Sequence, residues 1–124
     1  MVKYFEENSN RVRRAVQAWQ ILVHAAMNRQ THTYKSLSIL MYGHYAGGTL
    51  GSVLGYIAFY CNENNLPPLT ALVVNSETGV PGALIPISSD LNQVREQVYQ
   101  TDWYAIYPPT EQELIETHEH QKIK

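Results

Sequence analysis

Apolar residues return at three- and four-residue steps through Val12, Ala15, Val16, Trp19, Leu22, Val23 and Ala26, directly after the polar cluster Asn8-Ser9-Asn10. That spacing gathers them on one face of a helix, and the cluster offers a side chain to accept from the first free amides, so a capped amphipathic helix is predicted here. Arg29 to Tyr34 is polar and β-branched, and Thr31 or Thr33 is expected to cap a short helix from about Tyr34 to Met41 that buries Leu37 and Leu40. The stretch from Gly43 to Gly48 reads as a turn, because glycine tolerates positive φ. From Thr49 to about Asn62, Leu50, Val53, Leu54, Ile57 and Cys61 again follow the helical period, and Asn62, Asn64 and Asn65 supply a stop. Gly47, Gly51 and Gly55 fall four apart, which predicts a shallow groove of bare backbone along one side of this third helix.

Beyond Leu66-Pro67-Pro68, which cannot continue a helix, Leu69 to Val74 has the apolar, β-branched look of a buried strand. Asn75 to Gly79 is a tight-turn composition, and the prolines of Val80 to Ile87 suit an edge, so the two runs predict a hairpin-like wing. Ser88-Ser89-Asp90 caps a helix through about Gln100 with Leu91, Val94 and Val98 inward. A last helix starts at Thr110 after Pro108-Pro109, with the tail from Glu116 to Lys124 expected to fray. The predicted class is α+β and mainly helical. It is a single domain, with a winged helix-turn-helix core and short β hairpin over about residues 11–87 and C-terminal helices over about 88–124.

Composition narrows the function classes. The chain has 124 residues, 44% hydrophobic and 16% charged, a balance that supports one core rather than a disordered chain. No apolar run is long enough to span a bilayer and the first ten residues are polar, so a cytoplasmic protein with no membrane partner is expected. One cysteine, Cys61, provides neither an internal disulfide nor a structural zinc site. The formal net charge of -2 argues against strong nonspecific nucleic-acid binding. The charges are nonetheless segregated, with Arg11, Arg13, Arg14, Arg29 and Lys35 early and Glu111, Glu113, Glu116 and Glu119 late.

Thr33-Tyr34 before a short helix, Ala46-Gly47-Gly48-Thr49-Leu50-Gly51 opening the next, then Asn65-Leu66-Pro67-Pro68 and Leu72-Val73-Val74-Asn75 resemble the DNA-binding domain of alkylguanine-DNA alkyltransferases and their non-enzymatic alkyltransferase-like relatives. The resemblance covers about Val12 to Gly82. It implies that the glycine-bearing helix enters the DNA minor groove and that Tyr34 assists rotation of a target nucleotide. Two departures bear on activity. Leu69-Thr70-Ala71-Leu72 stands where the family carries its reactive Pro-Cys-His-Arg, and Gly48 stands where the family's arginine fills the space of the rotated base. Alkyl transfer is therefore not expected. The run from Tyr60 to Asn75, Thr78 to Gly82 and the segment Asp102 to Thr110 also resemble a group of small uncharacterised bacterial and phage proteins.

Residue by residue, the candidate chemistry is sparse. Cys61 lies on the buried stripe, where a thiol behaves as a small apolar group. His24, His32 and His44 lack a nucleophile pattern, and His118 and His120 with Glu116 and Glu119 do not share a helix face. No catalytic residue, metal site or cofactor is therefore predicted. The expected surface for DNA or a partner comprises Tyr34, Gly47, Gly48, Thr49, Gly51, Ser52 and Gly55, with Arg11, Arg13, Arg14 and Lys35 on phosphates. Trp103, Tyr104 and Tyr107 are candidate aromatic anchors or core cover. Two functions follow: a non-catalytic, alkyltransferase-like DNA-binding protein, or an inhibitor or accessory factor of phage or mobile-element origin that binds a host protein. An exposed glycine groove would also accommodate a homodimer.

Overall fold

The structure is a computed structural model that describes residues 1–75 and 90–123. Helix α1 (Arg11–Met27) starts where the Asn10 side chain accepts from the Arg13 amide. It ends in a Schellman turn: Gln30 N–H reaches the Ala25 carbonyl, Arg29 N–H reaches Ala26, and Arg29 takes a left-handed φ of 52°. This turn reverses the chain into a two-residue strand, β1 (His32–Thr33), and α2 (Tyr34–Tyr42). Thr33, not the exposed Thr31, caps α2, in a reciprocal box with Ser36. Gly43, at φ 79°, closes α2, and α3 (Gly47–Glu63) follows.

Leu69–Leu72 forms a 3-10 turn rather than the predicted strand, and only Val73–Val74 is extended, as β2. The reason is the partner available. β2 pairs in parallel with β1, in the register His32 with Val73 and Thr33 with Val74, and β1 is two residues long. The described strands are therefore not a hairpin. The second arm of the predicted wing, Val80 to Ile87, lies outside the described residues, as do Ser88 and Ser89. Asp90 caps α4 (Leu91–Gln100), which buries Val94 and Val98 and leaves Leu91 only half-buried.

A 3-10 turn at Trp103–Ala105 leads to α5 (Glu111–Ile123), opened by a capping box in which Thr110 and Glu113 exchange bonds of 3.0 and 3.1 Å. The tail expected to fray from Glu116 is helical as far as Ile123. Helix α5 lies along α3, Leu114 and Thr117 are buried, and His118 stacks on Tyr56 with ring centroids 4.4 Å apart. Helix α3 is thus held between α1 and α5. The core fills the space with Leu22, Leu37, Leu50, Ile57, Leu69 and Leu72, all fully buried. Trp103 completes it, set edge-on to Trp19 at 5.7 Å, with its indole N–H donating to the Val98 carbonyl at 2.8 Å. No described helix is long and apolar enough to cross a membrane.

Candidate interaction surface

The N-terminal half of α3 is where the fold leaves backbone bare. Ala46 occupies the cap position without a side-chain bond, and the first turn contains no acidic residue, so the positive end of the helix is uncompensated. A Cβ added at Gly48 or Gly51 would meet nothing within 4 Å. Intramolecular packing therefore does not require glycine at either position, although glycine in a helix costs up to about 1 kcal/mol relative to alanine. Thr49 is exposed and Ser52 half-buried beside them.

The predicted glycine row does not stay open along its whole length. A Cβ at Gly47 would collide with the Tyr45 ring, and Gly55 is buried. Tyr56, in the same stretch of α3, stacks on His118 of α5, and Phe59 meets the same ring at a tilt. The accessible edge is Gly48 with Gly51, one helical turn, rather than a groove running from 47 to 55.

The predicted basic contacts divide into three groups. Arg14 is only 3% exposed: its guanidinium donates to the Met41 carbonyl at 2.6 Å, the Glu6 carbonyl at 2.6 Å and Gln17 at 2.8 Å, and lies 4.2 Å from the centre of the Tyr42 ring. The helical period places position 14 beside the apolar stripe, and the segment before α1 folds back over it, so Arg14 ties this segment and the end of α2 to α1. It is not a surface cation. Arg13 is exposed and pairs with Glu111 at 3.5 Å. Arg11 and Lys35 are exposed and have no ion pair among the described residues. Lys35 opens α2 next to the half-buried Tyr34, about 10 Å along the helix from Tyr42 at 1.5 Å per residue.

A second contact steadies the turn between α2 and α3. His44 Nε2 lies 2.8 Å from the Glu7 carboxylate, and that hydrogen bond, with one to the Tyr45 backbone, raises the histidine pKa above its ordinary value. Burial raises the Tyr42 phenol in the same neighbourhood, with Arg14 opposing the shift. Of the aromatic candidates, Trp103 is core, whereas Tyr104 and Tyr107 are exposed, Tyr107 by 91%.

Cys61 lies on the buried face of α3. Burial pushes the Cys61 thiol up to about 11, so the thiolate is scarce near neutrality. Thr70, in the 3-10 turn Leu69–Leu72, is fully buried, and its hydroxyl has no hydrogen-bond partner among the described residues. No cluster of three or more His, Cys, Asp or Glu side chains among the described residues is arranged to hold a metal ion.

Two juxtapositions escaped sequence reasoning. Tyr45 shields Gly47, a contact that depends on the conformation of the turn. His24 and His32 line one hollow of about 420 Å³ with Gln20, Ile21, Gln30 and Leu40, because the Schellman turn folds β1 back beside α1. The left-handed residue there is Arg29, so the usual glycine signal for such a turn is missing. In comparisons with protein-family models, curated proteins and solved structures, no match to this chain is found.

Proposed function

We propose that this protein binds duplex DNA without chemistry, laying the open edge of α3 at Gly48 and Gly51 against the minor groove. The observation that carries the reading is the empty space where each glycine's Cβ would stand, at a helix start with no side-chain cap. Minor-groove binding needs a backbone that can come close, and the positive helix end favours a phosphate nearby. The resemblance to alkyltransferase-like proteins points to the same helix. Arg11 and Lys35, with Arg13 released from Glu111, are the phosphate contacts in this reading. Arg14 is withdrawn from that role. Neutralising two to three phosphates gives a slope of log affinity against log salt of about -2 to -3.

Fluorescence anisotropy of a labelled A·T-rich duplex, titrated at several salt concentrations, tests this. Expected are weak to moderate binding with that shallow slope, and loss of binding in Gly48→Leu and Gly51→Leu. Absence of binding at low salt, or unchanged binding in both variants, overturns it.

One observation favours a protein partner instead. Ile39, Leu40 and Tyr45 are 48%, 60% and 65% exposed on α2 and the turn, while Arg13 and Arg29 are engaged with Glu111 and Glu96. Exposed apolar side chains and cations already paired with carboxylates suit a protein surface better than a phosphate backbone. In that reading the same glycine edge receives a partner helix or loop, and the Leu variants lose the partner while DNA binding is absent from the start.

A further inference from the structure

We propose that the N-terminal segment, residues 1–10, is a strap over Arg14 that a proton on His44 holds shut. The inference does not depend on the DNA reading.

The segment is lightly held. Every residue from Met1 to Asn8 is exposed, and none of the first ten residues lies in a helix or strand. A hollow of about 740 Å³, lined by Val2 and Phe5 of the segment, Arg13 and Val16 of α1 and Glu111 of α5, lies between it and these helices. Within the segment, Ser9 and Glu6 close a turn with bonds of 2.8 and 2.9 Å. Two side-chain tethers among the described residues fasten that turn to the helices and the α2–α3 turn. Arg14 donates to the Glu6 carbonyl at 2.6 Å, and His44 Nε2 lies 2.8 Å from the Glu7 carboxylate.

The second tether needs a charged imidazole. His44 faces an acceptor on each ring nitrogen: the Glu7 carboxylate at Nε2, and the Tyr45 carbonyl 3.1 Å from Nδ1. Neither oxygen carries a proton to give, so only the doubly protonated ring serves both. A neutral ring keeps one proton and turns a lone pair toward the other acceptor, which weakens either the tether or the turn into α3. The other groups around it are Arg14 of α1, whose charge opposes protonation, and the Tyr42 ring of α2, tilted at 6.1 Å. The hydrogen bond to Glu7 outweighs them and keeps the ring protonated above its ordinary range.

Glu6 and Glu7 are adjacent, so a loosened Glu7 also loosens the carbonyl over Arg14. Lifting the strap leaves Arg14 bonded to the Met41 carbonyl and to Gln17, which keeps α1 joined to α2 and the core closed. What it uncovers is the Nη2 side of a guanidinium that is otherwise 3% exposed. The device is a local opening of a weakly packed segment, not an unfolding step.

Arginine modification by a 1,2-dicarbonyl reagent, read by mass spectrometry on the full chain, tests the strap. The exposed Arg11 is the reference in the same sample, so the reagent's own pH dependence cancels in the ratio of Arg14 to Arg11 labelling. An exposed charged pair shifts such an opening by roughly two- to fivefold, and the ratio is expected to rise by that factor between pH 5.5 and 8.5. In Glu7→Gln and His44→Gln, both at exposed positions, the ratio is expected to be raised already at pH 5.5 and to stay flat. His120→Gln, which removes the other histidine–carboxylate contact, to Glu63, is expected to behave as the parent chain. Arg14 left unlabelled at every pH, a flat ratio in the parent chain, or a pH dependence that survives in His44→Gln overturns the proposal.

Discussion

Replacing Gly51 with alanine separates a glycine kept for an outside molecule from one kept for the protein's own packing. Gly51 lies in the first third of α3 with a helical neighbourhood on both sides, and its added Cβ would meet nothing within 4 Å. No lost contact then offsets the gain in helix propensity, which is about 0.8–1 kcal/mol in a helix interior. For a chain of 124 residues, an unfolding entropy of about 2.1 cal/mol/K per residue converts that gain into a rise in Tm of roughly 3–4 °C. The measurement is differential scanning calorimetry, supported by urea denaturation with an unchanged m-value. On the binding side the same methyl group stands between α3 and whatever approaches it. The expected outcome is a more stable protein that binds more weakly. A fall in Tm would show that Gly51 is needed inside the fold and would refute the open-edge reasoning, whatever the ligand.

The remaining expectations concern the scaffold and its ionisable groups. Arg14→Met removes a buried cation that serves two backbone carbonyls, and is expected to cost about 3 kcal/mol by denaturant titration; a loss under 1 kcal/mol would contradict the structural role assigned to it. Because the folded His32 pKa lies below the unfolded value of 6.5, the unfolded chain binds more protons in that interval. The His32 contribution is thus complete above pH 6.5 and lost as the pH falls through its folded pKa, so His32→Gln is expected to lose less stability than the parent chain between pH 7.5 and 5.5. Its raised pKa gives His44 the opposite sign, a contribution present below pH 6.5 and lost on the alkaline side, so a His44→Gln background isolates the His32 effect. Cys61 is expected to react with a thiol reagent at pH 8 far more slowly than in the unfolded chain, with the rate rising in step with denaturant-induced opening; rapid labelling of the native chain would place the thiol at the surface.

The periodic segments were legible because their signal is local. The Val12 to Ala26 and Leu50 to Cys61 stripes become helix faces where the spacing puts them, and Thr33, one of the two candidates, caps α2. Leu69 to Val74 misled because an apolar run does not specify a strand's partner; with only His32 and Thr33 to pair with, four of its six residues take a tighter turn. Candidate site residues read from charge alone fared unevenly. Arg11 and Lys35 are on the surface, but Arg14 is buried by a segment whose fold carries no periodic signal. The glycine row was legible as a pattern and not as an environment, since what covers Gly55 and shields Gly47 is set by tertiary packing and one side chain of the turn.

The small β1–β2 ladder also constrains the order in which the chain assembles. It joins His32 to Val73, about forty residues apart, through only two pairs. Closing a flexible loop of that length costs roughly 3 kcal/mol of chain entropy, more than so short a ladder returns by itself. The ladder therefore forms only after the docking of α1 on α3 has already brought its ends together. In hydrogen exchange, the amides of these two strands should open with the helical core and not before it, making them a reporter of whether that docking is intact.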